Sequence, residues 1–499
     1  MVNTAQKIPL YTKTGNKTKI KIPFKEEKQI EAEEPTNQIK FVGNLLDFQT
    51  NVLNWSQPIE KGIIGLDMGL GKTVITIAII CNRNYNKTII VLPLSLLNQW
   101  KTAFQNFSDI DTNSILIYQG PKRNKLNFDT ARIILTTYET VRIDINDELS
   151  LLYNKKEQFD CIVLDEAHKI RNNETKVYSA CYSLSSHCKS KWLLTGTVIH
   201  NQFGDFLSLA EFLGLPDFDA SIFEDQSQIQ RWKKTYYYRL TKSECNLNLP
   251  QKIINEHFLE FDENHFDVYF DLFMETKQLY NKYLNAPTSL NLSFLLSKIL
   301  RLRQCCNHPD AILGEDYRLD KNLYEGKYVK KFAKVIDIIQ KTESDDKILI
   351  FSQWDHSLNL LSQCLENEGI SYLKYNGKID INKKNIILAD FKKSSCKVLL
   401  LTLTSGGVGL DLSHANNVII MDSWWNPALE EQAVDRVYRI GQTKIVNIHR
   451  LYMKDTIEEW LIEMKKQKQL IDIKFHTDNL HYAINKGLLK EILAKHIEY

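Results

Sequence analysis

The sequence predicts an α/β fold with two parallel-sheet lobes, a helical insert between them and a helical C-terminal tail. Short apolar segments rich in β-branched residues recur roughly 30 residues apart in two separate regions, as buried parallel strands do. Amphipathic stretches of helical periodicity occupy the region between them. The chain has 499 residues, 43% of them hydrophobic, so it can form several domains with sizeable cores.

The charge and cysteine content exclude several classes of protein. Lys and Arg number 63 and Asp and Glu 61, a net charge of +2, which argues against a uniformly basic surface but allows a local basic groove. No apolar run reaches the roughly 18 residues of a membrane span, and the first residues lack the apolar core of a signal peptide. The nine cysteines form no C-x-x-C pair, which predicts reduced thiols and an intracellular protein with no membrane partner.

The first half of the chain begins with a polar arm and continues into the first lobe. Residues 1–40 are rich in Lys and Glu and poor in aromatic residues, which predicts a flexible polar arm. The first lobe is predicted to span 41–215. Its buried strands are predicted at 88–95, 131–139, 161–168 and 191–197.

The second half repeats this pattern after a helical interruption. Residues 216–325 are predicted to form the helical insert and linker, because stretches such as 264–284 are amphipathic. The second lobe is predicted at 326–475 and the helical tail at 476–499. The strands of the second lobe are predicted at 347–354, 371–377, 397–405 and 417–423.

A glycine-rich segment between an apolar run and a helical stretch carries the first chemical signal. It comprises Gly65, Leu66, Asp67, Met68, Gly69, Leu70, Gly71, Lys72 and Thr73. Such a turn at a helix N-terminus presents backbone N–H groups to phosphate oxygens, while Lys72 reaches the β- and γ-phosphates and the Thr73 hydroxyl holds Mg²⁺. Leu66 occupies the place of the first glycine in the strict G-x4-G-K-[ST] pattern. A flexible turn with a chance GKT is the alternative.

An acidic segment ends the third predicted strand of the first lobe. It reads Asp165, Glu166, Ala167 and His168. At the carboxyl end of a strand, Asp165 would bind Mg²⁺ and Glu166 would polarise an attacking water. A surface acidic turn is the alternative. It is disfavoured because the glycine-rich segment precedes this one by about 90 residues, and the first would supply the phosphate cradle while the second would supply the metal ligand and the base.

A third segment, residues 432–442, carries two arginines three positions apart. On a helix Arg436 and Arg439 share a face, so both guanidinium groups could enter the nucleotide site of a neighbouring lobe. A pair of surface ion-paired arginines is the alternative. Hydroxyl groups at the ends of two predicted strands, near residues 195–197 and 404–405, could bind a phosphate backbone. Both of these short segments also fit ordinary turns. These hydroxyls belong to Thr195, Thr197, Thr404 and Ser405.

Two further groups are assigned to packing. Cys305, Cys306 and His308 lack a second ligand pair at zinc spacing, which favours a role in the core. The pair Trp424 and Trp425 is interpreted as a packing element rather than as a platform for base stacking.

Together and in this order, the motifs resemble the SWI/SNF family of helicase-like DNA translocases, within helicase superfamily two. The resemblance covers about residues 44–475, and the block at 424–442 is highly specific to the family. The matching segments are 45–55, 67–73, 91–100, 165–172, 193–201, 301–309, 348–354, 404–412, 424–442 and 455–461. The segment at 91–100 corresponds to a DNA-contacting segment of the family.

The resemblance implies two RecA-like lobes that clamp Mg²⁺ and ATP between them. Gln49 would read the adenine base, and residues 66–73 would hold the phosphates, with Lys72 as the phosphate-binding lysine. Asp165 and Glu166 would supply the metal ligand and the base, and Thr73 the second ligand. The second lobe would contribute Arg436 and Arg439, with Gly407 and Asp411 nearby.

The implied activity is an ATP-dependent double-stranded-DNA translocase, a DNA-dependent ATP hydrolase that regulates chromatin or transcription. Its partners would be double-stranded DNA and chromatin or transcription factors, which implies a nuclear location. A strand-separating DNA or RNA helicase is one alternative, and a non-catalytic ATP-binding transcription scaffold is another. The Lys-rich stretch Lys327, Lys330, Lys331 and Lys334 is either a DNA contact or a solvated helix face.

This chain departs from the family pattern at a few positions. Leu66 and Asp67 stand where Asp-Glu is usual, and Asp411 stands where asparagine is usual. Val198, His200 and Lys384 replace proline, glutamine and arginine. None of these changes removes a catalytic group.

Overall fold

The computed structural model describes most of the chain from residue 38 onward. The described residues are 38–196, 204–215, 226–245, 247–285, 289–312, 328–377, 379–393, 395–406, 410–424, 427–463 and 465–466. The predicted helical tail lies outside this set, as does nearly all of the predicted polar arm. Among the described residues, no helix is both long and apolar enough to cross a membrane.

The first sheet has seven parallel strands in the order β3-β4-β2-β5-β6-β1-β7. The strands are β1 (Lys61–Leu66), β2 (Thr88–Leu92), β3 (Ile115–Tyr118), β4 (Ile133–Thr137), β5 (Cys161–Asp165), β6 (Ser190–Leu194) and β7 (Tyr237–Leu240). The helices of this half are α1 (Asp47–Ser56), α2 (Lys72–Arg83), α3 (Leu97–Phe107), α4 (Tyr138–Asp144), α5 (Leu151–Lys155), α6 (Lys176–Ser185), α7 (Gly204–Leu213) and α8 (Gln226–Tyr236).

The second sheet has six parallel strands in the order β10-β11-β9-β12-β13-β8. The strands are β8 (Lys252–Leu259), β9 (Ile348–Ser352), β10 (Tyr372–Tyr375), β11 (Val398–Thr402), β12 (Asn417–Ile420) and β13 (Val446–Met453). The helices of this half are α9 (Glu263–Asn285), α10 (Ser289–Asn307), α11 (Lys330–Lys341), α12 (Asp355–Asn367), α13 (Ile381–Lys393), α14 (Leu403–Gly406) and α15 (Pro427–Val434). The predicted fold with two parallel-sheet lobes is confirmed.

Helices cover both faces of each sheet, which explains the continuous apolar strands. In β2, Ile89 and Val91 enter one hydrophobic cluster, and Ile90 and Leu92 enter the cluster on the other face. In a strand that is buried on both faces, an apolar side chain at every position is buried and stabilises the fold. All eight segments predicted as strands from this pattern contain a strand.

The segment 216–325 differs from the prediction, because it contains strands as well as helices. β7 adds to the first sheet beside β1, and β8 adds to the second sheet beside β13. The chain therefore crosses from one lobe to the other between these strands, in residues 241–251. The insert helices α9 and α10 follow the crossing, and their cluster includes Trp460 and Leu461 from the end of the second lobe. The helical insert thus packs on the second lobe.

A glycine in β1 allows β7 to pack tightly beside the glycine-rich loop. A Cβ on Gly65 would stand 2.3 Å from the ring of Tyr237, well inside the contact limit. Tyr237 is buried in the first lobe. The last strand of this lobe therefore lies against the strand that enters the loop, and the crossing segment starts at the candidate site.

Candidate active site

The glycine-rich loop joins β1 to α2. Gly69 and Gly71 have φ angles of +83° and +81°, a backbone region that side-chain-bearing residues rarely adopt. Gly71 caps the N-terminus of α2, so the N–H groups of the first helical turn point into the loop. The apolar members Leu66, Met68 and Leu70 are buried and anchor it. The loop thus has the backbone geometry of a phosphate cradle.

Lys72 turns its ammonium group into this loop. Its Nζ donates to the carbonyl oxygens of Leu66, at 2.8 Å, and Asp67, at 3.3 Å. Burial lowers the pKa of Lys72, and the carboxylates of Glu166 and Asp165 oppose that shift. The loop therefore holds a positive charge beside the acidic segment. Thr73 follows in the first turn of α2 and is half-buried.

Gln49 of α1 lies directly against the loop. Its Nε2 donates to the carbonyl oxygen of Leu70 at 3.2 Å, and its Oε1 accepts from the backbone N–H of Leu46 at 3.0 Å. A Cβ on Gly71 would stand 2.5 Å from Gln49 Nε2, so a side chain there would displace Gln49 and strain a backbone with a φ of +81°. The structure thus brings Gln49 to the glycine-rich loop, and its role as the reader of the base stays a prediction.

Asp165 ends β5 and Glu166 follows it, at the same sheet edge as the loop. Trp100 Nε1 donates to Asp165 Oδ2 at 2.8 Å, and the N–H of Glu166 donates to Asp165 Oδ1 at 3.0 Å. The hydroxyl of Tyr138 donates to the carbonyl oxygen of Asp165 at 2.7 Å. Glu166 has a φ of +54°, which is unusual for a residue with a side chain. These contacts fix the direction of the Asp165 carboxylate.

The electrostatics differ between the two carboxylates. Burial and the adjacent Glu166 raise the pKa of Asp165. Burial would also raise the pKa of Glu166, but the contact with His168 and the positive charges of Lys72 and Arg436 outweigh burial and lower that pKa. Glu166 Oε2 lies 3.3 Å from His168 Nδ1. Glu166 is therefore the carboxylate held in its charged form by its neighbours.

The second lobe presents both predicted arginines to the glycine-rich loop. Arg436 is buried, with its Nη2 3.6 Å from the sulfur of Met68. A Cβ on Gly69 would stand 2.8 Å from the Cβ of Arg439, so the backbone of the loop touches the arginine segment. Arg439 Nη1 lies 3.8 Å from Asp411 Oδ1. Arg436 and Arg439 thus lie at the loop from the other lobe, and Asp411 lies beside Arg439.

The predicted DNA-binding residues are placed only in part. Thr195, at the end of β6, is fully buried, so its hydroxyl is not at the surface in this state. Ser405 is half-buried and its Oγ accepts from Thr402 Oγ1 at 2.7 Å. Thr197 and Gly407 lie outside the described residues, as does the side chain of Thr404. Their roles stay predictions.

Of the residues assigned to packing, the two cysteines lie in the core, and His308 and Trp424 are half-buried. Cys305 and Cys306 are buried in the cluster that joins α9 and α10 to the second lobe. The guanidinium of Arg303 lies 5.2 Å from the ring centroids of both Trp354 and Trp424, so Trp424 packs on a cation. Trp425 lies outside the described residues.

Several residues of the site carry no recognisable signal in the sequence. Trp100 and Tyr138 orient Asp165 from 65 and 27 positions away. Lys242 reaches across to Asp435 from 193 positions away. Trp100 does fall within the matching segment 91–100, which is the one indication available. Lys242 has no such indication, because only the folded chain brings it to the other lobe.

The donor groups suit a magnesium nucleotide. The Thr73 hydroxyl and the Asp165 carboxylate are hard oxygen ligands of the kind that Mg²⁺ prefers. Each Asp165 oxygen already accepts one hydrogen bond and retains a free lone pair, an arrangement typical of an oriented metal ligand. The positive-φ glycines and the ammonium of Lys72 fit phosphate oxygens.

Two parallel-sheet lobes, with a glycine-rich loop and acidic segment in one and facing arginines in the other, define a helicase-like ATP-binding protein. The model of the SNF2-related domain matches residues 38–311, and that of the helicase conserved C-terminal domain matches residues 330–441. The chain belongs to the SNF2 family of helicase-like ATPases.

The similar proteins include a viral, a bacterial and a yeast protein. The "Probable global transactivator" of Orgyia pseudotsugata multicapsid polyhedrosis virus is 30% identical over 455 residues, 85% of this chain and 90% of that protein. The uncharacterized ATP-dependent helicase MG018 of Mycoplasma genitalium is 31% identical over 526 residues, 98% of this chain and 48% of its own. The ISWI chromatin-remodeling complex ATPase ISW1 of Saccharomyces cerevisiae is 29% identical and is covered over 43% of its length.

The chain thus spans most of the viral relative but about half or less of the bacterial and yeast relatives. Among solved structures, a Sulfolobus solfataricus SWI2/SNF2 ATPase core in complex with dsDNA aligns over 92% of this chain and 99% of its own. The identity is 25% and the TM-score 0.39.

Proposed function

We propose that the protein is an ATP-dependent double-stranded-DNA translocase that acts in transcription or chromatin regulation, in the nucleus. The observation that carries the proposal is the meeting of Lys72, Glu166 and Arg436 at one loop, with the arginine supplied by the other lobe. The first lobe supplies a lysine and a carboxylate, and the second lobe supplies an arginine. This division of charges suits phosphoryl transfer that is coupled to lobe closure.

In the proposed mechanism, the groups of the first lobe bind and activate. Gln49 contacts the base, the loop amides and Lys72 hold the phosphates, and Glu166 orients a water and accepts its proton. Mg²⁺, held by Thr73 and Asp165, would neutralise phosphate charge.

The groups of the second lobe complete the site only when the lobes are closed. Arg436 and Arg439 lie against the loop and stabilise the charge that develops during transfer. Hydrolysis and product release would then let the lobes separate, so that the DNA contacts of each lobe alternate.

DNA would bind at the sheet edge that carries the predicted contact segment. A groove of about 740 Å³ opens at the carboxyl ends of β2 and β4, with Pro93, Thr137 and Lys169 among its lining residues. Pro93 belongs to the segment 91–100, which supports this placement. Contacts to the phosphate backbone would make binding insensitive to sequence and sensitive to salt.

ATPase rates measured with duplex DNA, single-stranded DNA and RNA side by side test the proposal. Duplex DNA is expected to stimulate hydrolysis most, and Lys72→Ala and Glu166→Gln each to reduce the rate by about 100-fold or more. Lys454→Ala, which removes an exposed ion pair with Glu260, is the control and should keep the wild-type rate. A wild-type protein that no DNA stimulates would refute the proposal.

Two further assays separate the translocase from its alternatives. Robust unwinding of a forked duplex would identify a strand-separating helicase, the activity named for the Mycoplasma genitalium relative. Normal transcriptional output from Glu166→Gln would identify a scaffold that binds ATP without turnover. The proposal expects neither result.

A further inference from the structure

Asp67 of the glycine-rich loop binds the segment that crosses between the lobes. Its Oδ1 accepts from Arg239 Nη1 at 2.8 Å, and its Oδ2 accepts from the backbone N–H of Lys242 at 3.0 Å. Its own N–H donates to the carbonyl oxygen of Leu240 at 3.0 Å. The end of β7 and the start of the crossing segment are therefore attached to the loop by three hydrogen bonds.

The side chain of Lys242 continues this connection into the second lobe. Its Nζ donates to Asp435 Oδ1 at 2.6 Å and to the carbonyl oxygen of Tyr438 at 2.5 Å. The side chains of Lys242 and Asp435 are only 12% and 21% exposed. The ammonium also lies 5.3 Å from the centroid of the Tyr438 ring. A single lysine thus holds three groups of one short segment.

The residues that Lys242 contacts flank the arginines of the site. Asp435 immediately precedes Arg436, and Tyr438 immediately precedes Arg439. Burial raises the pKa of Asp435, Lys242 opposes this shift, and Asp67 across the interface adds to it. Without the lysine, Asp435 would lose its ion pair while still facing the Asp67 carboxylate of the other lobe.

We propose that Lys242 is a positioning residue that holds the arginine segment 435–439 against the glycine-rich loop. It links a loop that binds nucleotide to the lobe that supplies the charge-stabilising groups. This inference rests on the proposed ATPase function. Lys242 does not touch the reacting atoms, and its backbone keeps its bond to Asp67 whatever its side chain.

Lys242→Met removes the ammonium and keeps the aliphatic stem, so it isolates the contact with the second lobe. The kcat for ATP is expected to fall about tenfold, because misplaced stabilising groups cost rate, while the affinity for a fluorescent ADP analogue stays unchanged. Lys242→Arg, which can still reach Asp435, is expected to restore most of the kcat. Lys454→Met removes an exposed ion pair of similar length in the second lobe and should change nothing. A wild-type kcat in Lys242→Met would overturn the inference.

Amide hydrogen exchange supplies a readout that needs no hydrolysis. In Lys242→Met, residues 435–439 are expected to exchange faster, whereas residues 67–73 keep their protection because the loop retains its own bonds. Unchanged exchange in 435–439 would also overturn the inference. If the wild-type protein hydrolyses no ATP, the proposed function fails, and the exchange experiment still tests the contact.

Discussion

At the scale of single residues, the orientation of Asp165 in the acidic segment depends on two uncharged side chains. Asp165 sits at the end of a buried strand, where its direction is set by Trp100 from α3 and Tyr138 from α4. A buried carboxylate with fixed hydrogen bonds cannot rotate away from a metal or a water. The four residues 165–168 determine the chemistry of the segment, but residues from two other elements hold Asp165 in its orientation.

Replacing Trp100 by Phe tests this orientation. The ring volume is largely kept, but the bond from Nε1 to Asp165 is lost, so Asp165 is less well oriented for Mg²⁺. We expect the ATPase rate at a fixed Mg²⁺ concentration to fall about 10–100-fold, with partial recovery at higher Mg²⁺.

Trp460→Phe is the matched control for that change. Trp460 is also buried, but its Nε1 has no hydrogen-bond partner among the residues that the structure describes. Its replacement should leave the Mg²⁺ dependence unchanged. Equal effects of the two replacements would contradict a specific role for Trp100.

At the scale of elements, α11 shows how far a residue's surroundings can differ from its sequence pattern. The Lys-rich stretch predicts either a DNA contact or a solvated face, but Lys331 is completely buried. Its Nζ donates to Glu458 Oε1 at 2.7 Å, to the carbonyl oxygen of Met421 at 2.8 Å and to Asn307 Oδ1 at 3.1 Å. For Lys331 both interpretations are therefore wrong. The lysine joins α10 and α11 to the end of the second sheet.

Lys331→Met leaves the buried carboxylate of Glu458 without its cation. We expect the free energy of unfolding to fall by about 3–5 kcal/mol, measured by urea denaturation followed by tryptophan fluorescence. Lys334→Met, one turn along the same helix, removes a pair with Asp337 whose side chains are 27% and 36% exposed. That control should cost less than about 1 kcal/mol. Similar costs for the two variants would show that burial does not decide the effect.

The sequence analysis missed five strands; β1 and β13 are interior strands, whereas the other three share physical features. β8 is an edge strand whose residues alternate between exposed and half-buried, so it lacks the continuous apolar run of an interior strand. β3 and β7, four residues each, are the two edges of the first sheet. Periodicity detects a strand by its burial, and these strands are short or buried on one side only.

At the scale of the whole molecule, the two lobes meet through backbone as well as side chains. Gly69 lies so close to Arg439 that a Cβ there would force the contact to shift, and Lys242 joins the same surfaces nearby. The lobe contact is therefore built on the loop that would bind phosphate. A ligand or substitution that changes the conformation of the loop is therefore expected to change how the lobes close as well.

Gly69→Ala tests this contact by inserting one methyl group between the lobes. Its Cβ would stand 2.8 Å from the Cβ of Arg439, so the lobes must separate slightly. We expect the ATPase rate to fall by about 10–100-fold, because a misplacement near 1 Å is enough for such a loss.

Gly369→Ala provides the comparison for backbone strain. Gly369 also has a positive φ, +66°, but a Cβ there would meet nothing within 4 Å. Both variants carry a strain of about 1–2 kcal/mol, so their unfolding midpoints should shift by similar amounts. Only Gly69→Ala should lose activity. A loss in both would attribute the effect to strain instead.

The sequence by itself determined which chemically active residues stand together in short segments, and it located most of the interior strands. The glycine-rich loop, the acidic segment and the paired arginines are each set by neighbouring residues, and a buried parallel strand is visible as a local apolar run. Tertiary structure decided the rest: the crossing at 241–251, the burial of Lys331 and the reach of Lys242 to Asp435. These depend on contacts between residues up to 193 positions apart. The energy of such a contact depends on the water it excludes and on the charges around it, and a local sequence pattern carries neither.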